Sequence, residues 1–220
     1  MHLSNILAAL TQTGLVFRGG FHPNSTSLAP ANTGTIVLLG LVGRSGWAEF
    51  ADSSEAQDGL ENPLDRWSKR LIDALALKFG AVPIYPFSGP PYFPFQRWAA
   101  GAESLFPSPL GLLIHPDFGL WHSYRGALAF TQVLNLPPRV QAQNPCESCS
   151  GKPCLSACPV SAFSGESYNV PACAAHLRSA GQSCTTLGCA ARNACPIGSH
   201  HQYGAAQTQF YMAAFRRSHP

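Results

Sequence analysis

Leu3, Ile6, Leu7 and Leu10 recur at helical spacing, predicting an amphipathic helix within residues 1–15. Residues 22–33 (HPNSTSLAPANT) read as a polar loop, and residues 35–42 (TIVLLGLV) as a buried strand of aliphatic and β-branched side chains. Residues 43–61 carry no sustained period and read as a loop, acidic in its second half. The clearest helical signal starts at Asn62-Pro63, a capping residue followed by a proline suited to the first turn. Leu64, Trp67, Leu71, Ile72 and Leu75 then form one apolar stripe, and Gly80 is placed to end it. A strand is expected at 82–85, and an ordered aromatic loop at 86–98 (PFSGPPYFPFQRW), whose prolines oppose regular structure. Strands or strand ends are expected at 110–114 and 126–133, and a terminal helix at 207–217 through Phe210, Met212 and Phe215.

Charged residues make up 11% of the 220 positions, well below the usual share of a soluble domain, with 20 glycines and 19 prolines. This composition suggests a loop-rich body. The net charge of +3 is not gathered into a lysine or arginine block, so nucleic acid is not an expected partner. The longest apolar run, 35–43, is too short to span a membrane, and the first ten residues lack the basic start and cleavage site of a signal peptide. A cytoplasmic protein is expected. Pro137-Pro138 marks a hinge, dividing a cluster-free region, 1–140, from a C-terminal module, 141–220.

That module holds all eight cysteines, as Cys146, Cys149, Cys154, Cys158 and then Cys173, Cys184, Cys189, Cys195. Each group closes on a Cys-Pro pair, Cys158-Pro159 and Cys195-Pro196. The doubled ending is the pattern of chains folded around two iron–sulfur clusters, in which the fourth cysteine of one group reaches the other cluster. Three thiolates from a short loop can face one concavity, whereas a fourth placed beyond the turn points away. One [4Fe-4S] cluster is therefore expected on Cys146, Cys149, Cys154 and Cys195, and a second on Cys158, Cys173, Cys184 and Cys189. The alternatives are zinc, which Cys-x2-Cys alone would allow, and four disulfides, which suit small secreted chains. The paired Cys-Pro endings favour iron.

Two further segments look familiar. Residues 113–126 (LIHPDFGLWHSYRG) resemble the His-Pro-x-Phe-Gly-x-Trp-x-x-x-Arg-Gly segment of cobalamin-processing chaperones, and Tyr85-Pro86-Phe87 resembles a Tyr-Pro-Phe element of the same family. The two-cluster tail, with Cys173-Ala-Ala-His176-Leu177 between its cysteine groups, is similar to that of epoxyqueuosine reductase and the reductive dehalogenases. The resemblance implies an α+β fold, with a small nitroreductase-like domain, short for that scaffold, followed by a ferredoxin-like two-cluster module. It also implies a pocket for a cofactor, a corrinoid (cobalamin), or for a thiol substrate, bordered by Trp121 and Arg125, with His115 as a further candidate.

Three classes of function follow. The first is an oxidoreductase whose two clusters relay electrons to a pocket formed by 86–98 and 115–125, with a small-molecule substrate. The second is a ferredoxin-like carrier serving a redox partner protein. The third is a sensor or chaperone in which the clusters are structural.

Overall fold

The computed structural model describes residues 2–219; Met1, within the expected opening helix, lies outside them. Residues 2–104 with 122–141 form one compact unit, and residues 105–121 with 142–219 form another.

Among the described residues the first unit is built on a four-stranded antiparallel sheet in the order β1-β2-β6-β3. Its strands are β1 (Val16–Phe21), β2 (Thr35–Val42), β3 (Val82–Ile84) and β6 (His122–Phe130). The second unit contributes the short pair β4 (Phe106–Pro107) and β5 (Leu113–Ile114). The arrangement is α+β. The aliphatic run 35–41 is buried on both faces because β2 is an inner strand, flanked by β1 and β6. The helix Pro63–Phe79 buries Leu64, Trp67, Ile72, Leu75 and Ala76, and Gly80 ends it in the left-handed conformation at φ +62°. Asn62 occupies the cap position, but its side chain makes no capping hydrogen bond.

Several expectations need correction. The opening helix is shorter than expected, Leu3–Leu10, and β1 follows it. The loop expected over 43–61 contains the short helices Trp47–Ala51 and Ser54–Gln57, the second capped by Ser53 Oγ accepting from the Ala56 amide. The aromatic loop gives way to a helix, Phe95–Ala102, which starts after Pro94, where a missing N–H costs nothing. Trp98 in this helix is core, tilted against Phe21, Phe93 and Phe95, and its indole N–H donates to Ser27 O at 2.7 Å.

A buried polar knot sits in the same unit. Arg18 of β1 is fully buried and donates to Glu103 at 2.7 Å, to Tyr124 Oη at 3.2 Å and to Leu41 O at 3.5 Å. Tyr124 Oη donates to Glu103 in turn, and burial pushes its phenol well above the ordinary range. The pair is close and multiply hydrogen-bonded, as a buried ion pair must be to offset the loss of hydration.

In the second unit Leu110, Ile114, Leu120, Ala162, Phe163, Ala191 and Cys195 form the core. Around it lie the helices Val170–Arg178 and Ala205–Ser218, with the single turns Pro153–Ser156, Cys184–Leu187 and Ala190–Asn193. No helix among the described residues is long and apolar enough to cross a membrane.

Candidate metal centre

The eight cysteines are free thiols, all in the second unit. Local structure aims them one by one. Cys154 lies in the turn Pro153–Ser156, reached through left-handed Gly151 and Lys152. Cys173 sits near the start of Val170–Arg178, a helix capped by Asn169 Oδ1, which accepts from the Ala172 amide at 3.0 Å. Cys184 opens the turn Cys184–Leu187, and Cys189 caps the turn Ala190–Asn193.

These placements sort the thiols into two neighbourhoods. Cys158, Cys173, Cys184 and Cys189 together line one small recess, with Phe163 and Leu177 in its wall. Charge on Cys173 and Cys158 reaches Cys184, and charge on Cys173 and Cys184 reaches Cys189. Separately, Cys195, Cys154 and Cys149 act on Cys146, and Cys154 and Cys149 act on Cys195. Cys158 thus lies beside cysteines of the later run, and Cys195 beside cysteines of the earlier one. Among the described residues, no three cysteine, histidine or acidic side chains meet at one point as ligands of a single ion would.

Burial pushes the thiols of Cys146, Cys154, Cys184, Cys189 and Cys195 above the ordinary thiol range. Neighbouring thiols add to the shift in each case, because like charges so close resist joint ionisation. Opposing this, backbone amides point at the sulfurs. Ala162 N–H donates to Cys158 Sγ at 3.3 Å, Ala190 serves Cys184, Ala191 and Arg192 serve Cys189, and Ile197 serves Cys195. Leu155 and Cys154 itself supply amides to Cys154, and Lys152 lends it a positive charge. Such an array suits thiolates held by a polynuclear cationic centre: the amides are fixed, the ligands are sulfur, and four of the thiols line one recess.

Sequence reasoning missed Tyr168. Its hydroxyl hydrogen-bonds Cys173, and its ring stacks on Phe163 at 4.5 Å and 11°. Burial is the main reason its phenol is pushed far above the ordinary range. No spacing rule announces it, since it precedes Cys173 by five residues and belongs to a different turn.

The residues carried over for a cofactor pocket have other partners. His115 Nδ1 accepts from the amides of Asp117 and Phe118 at 3.1 and 3.2 Å, and its ring stacks on Phe118 at 4.1 Å. Trp121 is buried, with Arg192 over its face at 4.6 Å and Tyr203 at its edge. Arg125 belongs to the first unit, where its Nη2 pairs with Asp65 and its Nε donates to Ser68 at 3.0 Å. His115 and Trp121 share the second unit with the cysteines. The loop carrying them packs main chain to main chain on the segment leaving Cys195: a Cβ on Gly119 would stand 1.9 Å from Ile197 O, and one on Gly198 2.4 Å from Phe118 C.

No protein-family model matches the sequence, and no curated protein is matched either. Solved structures share the fold. The crystal structure of selenomethionine-labelled epoxyqueuosine reductase is similar at a TM-score of 0.50 and 16% identity, over 94% of this chain and 68% of that one. Two more epoxyqueuosine reductase structures, one with an epoxyqueuosine-modified tRNA-Tyr stem loop and one from Bacillus subtilis, reach 0.48 at 16% identity, over 92% of this chain and 67% of theirs. At that identity the likeness is one of fold.

Proposed function

We propose that this chain is an iron–sulfur reductase that binds two [4Fe-4S] clusters in its second unit. Cys146, Cys149, Cys154 and Cys195 hold one, and Cys158, Cys173, Cys184 and Cys189 hold the other. The observation that carries the reading is the grouping of eight thiols into two sets of four, each served by backbone amides. When bound, such clusters take up and release single electrons. The protein's own part is to desolvate the thiolates, fix their directions and supply N–H donors that stabilise sulfur charge. The likeness in fold to epoxyqueuosine reductase supports reduction as the class of reaction.

Two narrower points follow from the site. The corrinoid implied by the resemblance is not built into this reading: Arg125 pairs with Asp65 and His115 accepts from two backbone amides, while the buried indole N–H of Trp121 has no acceptor among the described residues; no step is routed through it. The expectation against nucleic acid is not carried forward. It rested on a charge summed over the whole chain, and RNA recognition depends on local stacking and hydrogen bonding that such a sum does not report.

The test is anaerobic purification with quantification of iron and acid-labile sulfide, followed by reduction monitored by electron paramagnetic resonance (EPR). About eight irons and eight sulfides per chain are expected from two cubanes. Zinc in stoichiometric amount without labile sulfide would refute the proposal.

A further inference from the structure

Residues 105–121 and 142–219 contain five lysines and arginines, and three of these, Arg178, Arg216 and Arg217, end two neighbouring helices. Neither helix, Val170–Arg178 or Ala205–Ser218, contains an aspartate or a glutamate. Arg178 Nη1 donates to His219 O at 3.1 Å, which holds the two C-terminal ends within reach of one side chain. All three arginines are exposed. Among the described residues no carboxylate lies within ion-pair distance of any of them, whereas Arg18, Arg66, Arg70 and Arg125 are all paired.

A cation in the last turn of a helix offsets the macrodipole. Arg178 meets that need by bonding a terminal carbonyl, while the side chains of Arg216 and Arg217 make no hydrogen bond among the described residues. The same two helices also wall the recess of the second quartet. His176 and Leu177 line it from one helix, immediately before Arg178, and Met212 lines it from the other. Arg216 follows Met212 by four residues, so it stands on the same helical face, with about 5–6 Å between the two Cβ atoms. The turn Cys184–Leu187 carries a ligand of this quartet and packs on the helix Ala205–Ser218, leaving Leu187 exposed at its end. Apolar contact with charge around it is the make-up of a protein-docking surface.

We propose that Arg178, Arg216 and Arg217 form the docking surface for an acidic electron-carrier protein, which delivers electrons to the cluster of the second quartet. This rests on the two-cluster reading above. One electron passes from the carrier's reduced iron–sulfur centre to the oxidised cluster of the second quartet; no bond breaks and no proton is required. Opposite charge speeds the encounter and orients the partner, and salt weakens both effects. The patch suits a protein better than a nucleic acid. Three cations neutralise few phosphates, and Phe215 already stacks on His219 at 4.3 Å and meets Tyr168 at 6.5 Å, rather than standing free for a base.

The experiment measures binding of a fluorescently labelled acidic [2Fe-2S] ferredoxin by anisotropy, at low and high ionic strength. The samples are iron-loaded wild type, the triple variant Arg178→Gln/Arg216→Gln/Arg217→Gln, and Lys78→Gln, an exposed cation of the first unit. At low ionic strength the triple variant should bind about tenfold more weakly than wild type, and Lys78→Gln should bind as wild type does. Rising salt should bring the wild-type affinity down towards that of the triple variant. The second-order rate of cluster reduction by the reduced ferredoxin should fall by the same factor. Equal affinities or equal rates in wild type and triple variant at low ionic strength, with full iron in both, overturn the proposal. So does an iron-loaded wild type that does not bind the ferredoxin. A labelled RNA hairpin is titrated in parallel: loss of its binding in the triple variant, with ferredoxin binding unchanged, gives the patch to nucleic acid and overturns the proposal. Should the triple variant fail to load iron, Arg217→Gln replaces it, with about a twofold weakening expected, and an unchanged affinity overturns the proposal. A wild-type protein free of iron would instead sink the two-cluster reading itself, so the two failures are distinguishable.

Discussion

Replacing Gly119 by alanine tests how the fold holds the fourth ligand of the first quartet. Gly119 adopts φ +58°, a conformation that costs an L residue roughly 1–2 kcal/mol. An added Cβ would lie 1.9 Å from Ile197 O and 2.7 Å from Ile197 C, whereas real Cβ contacts stay above 3.0 Å. The shortfall of 1.1 Å (3.0 less 1.9) falls on backbone two residues beyond Cys195, so no side-chain rotation relieves it. Overpacking of this kind costs about 1–3 kcal/mol, giving a total near 2–5 kcal/mol. The comparison variant is Gly111→Ala, also at positive φ (+72°) but with nothing within 4 Å of the new Cβ, for which only the conformational cost of roughly 1–2 kcal/mol is expected. Anaerobic denaturant titration reads the stability difference, and iron analysis reads the ligand. Gly119→Ala should lose iron from the first quartet, falling towards half the wild-type content, while Gly111→Ala keeps it all. Equal stability losses in the two variants, with full iron in both, would refute the reasoning.

Other expectations concern separate parts of the molecule. Glu103→Gln strands the buried Arg18 guanidinium and should destabilise the first unit by about 3–5 kcal/mol in denaturant titration. Glu55, hydrogen-bonded to Arg70 at 2.6 Å, has its carboxyl lowered to about 2 by that contact. Because the folded value lies below the unfolded one, the stabilisation is fully present above about pH 4.5 and is lost as pH falls towards 2. Wild type should therefore exceed Glu55→Gln by about 1 kcal/mol at neutral pH, since Arg70 is half exposed, and the gap should close across that window. Tyr168→Phe removes the hydroxyl that meets Cys173, and one of the two reduction potentials should fall by about 40 mV, the equivalent of a hydrogen bond of about 1 kcal/mol, with the other unmoved.

What the sequence reveals depends on how local each signal is. The helix Pro63–Phe79 announces itself through its proline, its stripe and Gly80, all within one segment. The strand β2 is equally plain, because an inner strand is apolar at nearly every position. Its neighbour β1 is not, since Arg18 and two glycines break the alternation, and the charge is satisfied by Glu103, 85 residues away. The expected grouping of thiols rests on the short spacings within each cysteine run and on the Cys-Pro ending of each. The placing of Arg192 between two rings has no such signal, because Trp121 and Tyr203 lie far from each other in the chain and meet only through tertiary packing. The same holds for His115 and Trp121: their motif looks like a pocket edge, yet its glycine is needed for contact with the segment after Cys195.

Native mass spectrometry of anaerobically prepared Cys195→Ser measures the central arrangement most directly. If Cys195 completes the set begun by Cys146, Cys149 and Cys154, the variant should carry one intact [4Fe-4S] cluster, and Cys158→Ser should lose the other one instead. Retention of both clusters in Cys195→Ser, or a wild-type mass that reports zinc, would contradict the crossed pair of quartets on which the account stands.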